Sequence, residues 1–169
     1  FEMKKTSMMV IGFVALAAFA AIPATAATSG SITLSGSIPA IMELVITSEP
    51  AASNLPLTKT VADLSVATVT ERSNKRAGYT VTLESESAKA SGASPSFVSS
   101  ESGDSLPYSI KYGGNAVAFV GGSAVVSSTA SRTTGEGVSK AVTVSFDGAS
   151  YFLDESTYSD TLTFTIIAK

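Results

Sequence analysis

The sequence contains no cysteine, no histidine and no tryptophan. Without a thiolate or an imidazole there is no thiolate or imidazole metal site, no cysteine nucleophile and no serine–histidine–aspartate triad. A disulfide within the chain and a lipid anchor on cysteine are excluded for the same reason. Charge is also scarce: Asp, Glu, Lys and Arg make up 15% of the 169 residues, against about a quarter in an ordinary domain. The net charge is −3 overall and becomes −4 from Ala27 onward, with 9 basic against 13 acidic residues. No run of clustered cations is left to neutralise phosphates, so nucleic acid is not an expected partner. Hydroxyls fill the deficit. Of the 143 residues from Ala27 to Lys169, 44 are Ser or Thr, while hydrophobic content stays at a normal 44%. The length suits a single domain.

The N-terminus has the three parts of a secretory signal. Met3-Lys4-Lys5 is a basic start, Met8–Ile22 is almost wholly apolar, and Ala24-Thr25-Ala26 fits the small-x-small cleavage rule. Cleavage is expected after Ala26. A membrane anchor is the alternative, but an apolar stretch of about 15 residues falls short of the roughly 20 needed to span a bilayer. Phe1-Glu2 are expected to precede the natural start, as a cloning remnant or a mis-assigned start codon. The expected domains are a signal over 1–26, an N-terminal extension over 27–39 and a β domain over 40–169. The mature protein is expected to be exported.

Residues 27–169 alternate with period two again and again, the signature of half-buried strands. In Ser31–Ile38 the series is Ile32, Leu34, Gly36, Ile38. Ile41–Ile46 is a denser apolar run. Asp63–Thr70 alternates with a phase break at Ala67, which predicts a bulge. Tyr79, Val81 and Leu83 form another series, as do Tyr108, Ile110 and Tyr112. Val117 and Phe119, then Val142, Val144 and Phe146, and finally Leu162, Phe164 and Ile166 complete the set. Turn residues such as Ser73-Asn74, Gly113-Gly114 and Asp147-Gly148 separate the runs. One apolar and one hydroxylic face per strand is what two packed antiparallel sheets require. About seven short strands predict an all-β, immunoglobulin-like antiparallel sandwich. No segment after the leader shows helical periodicity. Ser85–Asp104, with eight serines, is expected as a long exposed loop, and Ser123–Glu136 as another, with a short edge strand at Val125-Val126.

Four segments together resemble a known family. They are Gly30–Ala40 directly after the leader, Val66–Asn74 leading into Gly78–Leu83, Leu106–Tyr112, and Thr157–Ile166 at the C-terminus. The most specific piece is Tyr158-Ser159-Asp160-Thr161. The chain resembles pilin subunits of the chaperone–usher pathway, in particular the archaic, spore-coat-protein-U-like branch. That resemblance implies a sandwich lacking its last strand and completed by a donor strand. The partners it implies are a periplasmic chaperone, an outer-membrane usher and identical subunits in a polymer. The location it implies is the periplasm in transit and then a cell-surface fimbria serving adhesion to host or abiotic surfaces, or biofilm formation. Donor-strand residues would be Ile32, Leu34, Gly36 and Ile38, with Leu162, Phe164 and Ile166 flanking the acceptor groove. Gly36 would fit a shallow point of that groove, although glycine there is equally compatible with a bulge or a flexible joint. Many subunits of this branch carry an early disulfide, which this sequence lacks.

The residues themselves agree in one respect. An alternating strand with no hairpin partner close in sequence suits addition to another molecule's sheet. Donation in cis and in trans use the same alternation, so a self-complemented secreted sandwich stays open. Such a sandwich would be an adhesin or carbohydrate-binding module, with Tyr108, Tyr112, Tyr151 or Tyr158 as stacking surfaces. Enzymatic chemistry is not expected, and no cofactor or metal is expected. The carboxylate pairs Glu84/Glu86, Glu101/Asp104 and Asp154/Glu155 read as solvated charge, and Arg72 with Lys75-Arg76 as a solvated turn.

Overall fold

The computed structural model describes residues 28–169, so the secretory segment expected over 1–26 lies outside the described residues. The chain divides into two units, 1–37 and 38–169. In the first, the described residues 28–37 carry no strand. The strand expected over Ser31–Ile38 is therefore not formed. A strand is held by ladder bonds to a neighbour, and among the described residues no main-chain bond is made by residues 28–37.

The second unit is an antiparallel β-sandwich. Its first sheet begins with β1 (Met42–Ser48) and the long β2 (Thr60–Ser73). It continues through β8 (Val138–Asp147), β5 (Ser105–Tyr112), β4 (Ser96–Ser99) and β9 (Tyr158–Ser159). A two-residue strand, β6 (Asn115–Ala116), pairs with β5. The second sheet has β3 (Tyr79–Ser85) at its centre, flanked by β7 (Ser123–Thr129) and β10 (Leu162–Ala168). Every pairing is antiparallel.

The core follows the alternation. Tyr79, Val81 and Leu83 point inward from β3, Leu106, Tyr108, Ile110 and Tyr112 from β5, and Val142, Val144 and Phe146 from β8. Phe97 of β4 stacks on Tyr108 with ring centroids 4.2 Å apart and meets Phe146 edge-on at 5.6 Å. Aromatic pairs in these geometries add about 0.5–1.5 kcal/mol beyond the area they bury.

Register shifts in β2 fall between Val61 and Leu64 and between Ser65 and Ala67. The second is the bulge predicted from the phase break. It has a consequence downstream. Beyond it the inward series is Val69, Glu71, Ser73, so a glutamate enters the core. Glu71 is 1% exposed and accepts hydrogen bonds from Tyr79 (2.8 Å), Tyr112 (2.5 Å) and Ser127 (2.9 Å). Three hydroxyl donors replace the water that a buried carboxylate loses.

Two expected loops contain structure. Within Ser85–Asp104 lie α1 (Glu86–Ser91) and β4, with Ala88, Pro95 and Phe97 buried. The six-residue helix is set by its ends rather than by periodicity. Ser85 Oγ caps it by accepting from Ala88 N–H (3.1 Å), and Gly92 closes it at φ +68°. Within Ser123–Glu136, the expected two-residue strand extends to seven residues as β7, an edge of the second sheet. Val117 and Phe119, expected in a strand, lie just past β6 and pack against the core without belonging to one.

Replacing Glu71 by Ala leaves three hydroxyls without their acceptor, and we expect a loss of at least about 2 kcal/mol in urea unfolding. Burial, and after it the neighbouring Glu71 carboxylate, pushes the Tyr79 hydroxyl up from 10.0 to about 12. Burial and then Glu71 push Tyr112 up as well. The folded chain therefore keeps phenolic protons that the unfolded chain releases, so stability is full below pH 10.0 and falls as the pH rises toward 12. Urea midpoints measured between those pH values should decrease steadily, and Tyr79→Phe should flatten the decline.

Candidate functional site

β1 and β10 are edge strands. Among the described residues each has one ladder, β1 to β2 and β10 to β3, and no main-chain bond joins the two. Their inward side chains are consequently covered on one side only. Leu162, Phe164 and Ile166 occupy the inward phase of β10 and all three are half-buried, whereas their partners in β3, Leu83 and Val81 among them, are fully buried. On β1, Leu44 is half-buried and Ile46 is 47% exposed.

Between these edges lies a cleft of about 310 Å³. Ile46, Leu162 and Phe164 form its rims, and Val66, Phe97 and Val144 are among the residues of its floor. The volume is near the lower bound for a small-molecule site. Its walls are two strands whose outer main-chain groups are free to accept a ladder, which makes the opening a template for an extended chain.

One carboxylate stands at the end of the cleft where β10 begins. Asp160 accepts from Tyr108 hydroxyl (2.6 Å), Ser85 Oγ (2.7 Å), Ser87 Oγ (2.9 Å), Ser87 N–H (2.9 Å) and Thr161 N–H (2.8 Å). Burial, and secondarily this carboxylate, push the Tyr108 hydroxyl up. Asp160 thus ties the start of β10 to α1 and to β5. Its bonds are spent within the fold, so it orients the rim rather than reacting. This gives the Asp of the Tyr158–Thr161 motif a structural role that sequence reading did not assign.

The extension residues stand apart chemically. Ile32, Leu34 and Ile38 are 84%, 86% and 86% exposed, and no atom would lie within 4 Å of a Cβ on Gly36. Three aliphatic side chains in one phase are thus left in solvent.

Of the four tyrosines considered as sugar-stacking surfaces, Tyr108 and Tyr112 are buried and cannot serve. Tyr158 is half-buried and donates to Asp154 C=O (3.0 Å). Tyr151 is exposed beside Phe152, whose side chain is fully in solvent. The carboxylate pairs are dispersed. Glu84 faces Lys89 at 3.4 Å, Glu86 opens α1, and Asp104 and Asp154 lie in adjacent loops. Among the described residues no group of three or more metal-ligating side chains converges. Arg72 pairs with Glu43 at 3.1 Å.

Glu71 was the residue missed near the site. Tyr112, which donates to it, packs against Phe164 with centroids 5.9 Å apart, so the buried carboxylate sits behind the cleft rim. The signal was present: past the break at Ala67, the inward phase runs through Glu71. No protein-family model matches the chain, and no curated protein matches it significantly.

Asp160→Ala should cost roughly 1–3 kcal/mol, because the buried Tyr108 hydroxyl loses its acceptor. A drop in thermal midpoint with Tyr108→Phe in the same background giving no further loss would report that coupling; two independent, additive losses would contradict it.

Proposed function

We propose that this protein is a structural subunit of an extracellular fimbria, joined to its neighbours by strand donation. The N-terminal segment of one copy, with Ile32, Leu34 and Ile38 on one face, would fill the cleft between β1 and β10 of the next. The observation that carries this reading is the pair of unladdered edges β1 and β10 with half-covered Leu162, Phe164 and Ile166 between them. A donated strand would supply the missing ladder on both sides and cover those side chains. The proposed partners are identical subunits, with a periplasmic chaperone holding the cleft and an outer-membrane usher releasing the fibre during export. The proposed role is attachment to surfaces or biofilm formation.

Magnitudes favour lasting association. Each buried aliphatic side chain contributes roughly 1.5–3 kcal/mol, and each new main-chain bond adds about 1 kcal/mol net. Several of each outweigh the ordering of a short extended segment and the loss of free motion. β1 and β10 share no hydrogen bond, so they part for an incoming strand without breaking a ladder.

The test is a gel of surface-sheared material run with and without boiling. A ladder that collapses on boiling to one band near the mature mass is expected, and deletion of residues 27–38 should abolish it. A single band in both lanes would mean that the sandwich is complete within one chain, acting as a secreted adhesin or carbohydrate-binding module. Leu34→Asp should likewise remove the ladder while leaving the unfolding free energy of the monomer in urea within about 0.5 kcal/mol of the parent, the usual range for exposed positions.

A further inference from the structure

The charges of the sandwich are sorted to its two ends. β2 runs the full length, and its 14 residues at about 3.3 Å each place the ends roughly 40 Å apart. At the end where β2 finishes, the turn Asn74–Gly78, the loop after β7 and the end of β10 come together. Arg72, Lys75, Arg76, Arg132, Lys140 and Lys169 lie there, against exposed Glu43 and Glu136. At the end where β2 starts, the loops 100–104 and 148–157 meet the segment before β2. Glu86, Glu101, Asp104, Asp147, Asp154 and Glu155 lie there, against Lys59 and Lys89. Phe152, fully exposed, projects from the acidic end.

The chain enters the sandwich at the basic end. Asn74 grips this entry: its Nδ2 donates to Pro39 C=O (2.8 Å) and its Oδ1 accepts from Ile41 N–H (2.8 Å). β10 runs the other way along the molecule, from Leu162 at the acidic end to Ala168 beside Tyr79 at the basic end. A strand that joins β10 antiparallel, and so lies parallel to β1, ends at the acidic end. Only Pro39 and Ala40 then separate Ile38 from the gripped Ile41 of the donating copy, a reach of about 10 Å.

The geometry points to a second, electrostatic interface between successive copies: the basic end of the donating subunit docks on the acidic end of the accepting one. This inference rests on the strand-donation reading above. The opposite insertion would bring basic end against basic end, so the charges also select one direction over the other. Phe152 gives the incoming guanidinium of Arg76 or Arg132 a ring face to lie on. The partner is a second copy of this chain because both complementary surfaces, and the tether that brings them together, belong to it.

The test uses the full mature chain, refolded and followed by unboiled gel ladder and light scattering at low and high salt. Two charge reversals are compared, Asp154→Lys with Glu155→Lys, and Arg76→Glu with Arg132→Glu, singly and mixed. Each reversed set alone should slow assembly at low salt by roughly tenfold, the scale of electrostatic steering. Mixing the acid-reversed and base-reversed chains should restore hetero-assembly to within about threefold of the parent rate, and raising salt should slow the parent chain toward the singly reversed ones. The salt dependence of the parent chain stands even if a reversed set misfolds. A parent ladder indifferent to both salt and reversal overturns the electrostatic interface and leaves strand donation intact. Absence of any ladder from the parent chain overturns strand donation, and this interface with it.

Discussion

Two strands that lie near each other without a ladder govern this molecule. β1 belongs to one sheet and β10 to the other, and each keeps one edge of main-chain donors and acceptors without a partner among the described residues. A sandwich ordinarily covers the inner face of its edge strands with side chains from the opposite sheet. Here Leu162, Phe164 and Ile166 have that cover on one side only, and the cleft beside them is open to solvent. Exposed apolar edges are an aggregation hazard that soluble proteins blunt with charge, proline or a covering element. β10 has none of these. Its inward residues are aliphatic or aromatic and its outward ones are Thr163, Thr165 and Ile167. An edge left this way is consistent with an edge meant to be paired.

The rest of the fold holds that edge in place without covalent help. With no disulfide available, two buried or half-buried carboxylates act as anchors. Glu71 gathers hydroxyls from β3, β5 and β7, and so links the two sheets. Asp160 gathers hydroxyls and amides from the start of α1, from β5 and from the start of β10. Both solutions draw on the abundance of Ser, Thr and Tyr. A hydroxyl-rich sequence can satisfy a buried carboxylate many times over, which is why burying one is tolerable here.

Much of the architecture was legible in the sequence, and the failures have physical causes. Tyr79–Leu83, Tyr108–Tyr112 and Val142–Phe146 alternate without interruption, and all lie between two other strands, where burial enforces the period. α1 was not legible because six residues leave no room for periodicity; its cause is the Ser85 cap and Asp160, 75 residues away. β7 was not legible along its length because an edge strand half in solvent needs few apolar residues. Glu71 was hidden by the bulge, which moves the inward phase by one residue. Ser31–Ile38 alternates as well as any strand in the core yet is not one here, since alternation records which face would be covered and not whether a partner is present. The cleft itself was legible only in part: Leu162, Phe164 and Ile166 stood out in sequence, whereas β1 as the opposite rim emerged from topology.

The most direct test of strand donation is amide hydrogen exchange, compared between monomer and sheared surface material. The account predicts that the amides of residues 31–38, and the alternate amides of β10 on its unladdered edge, exchange freely in the monomer and become strongly protected in the assembled state. Equal, rapid exchange of both segments in the two states would contradict it.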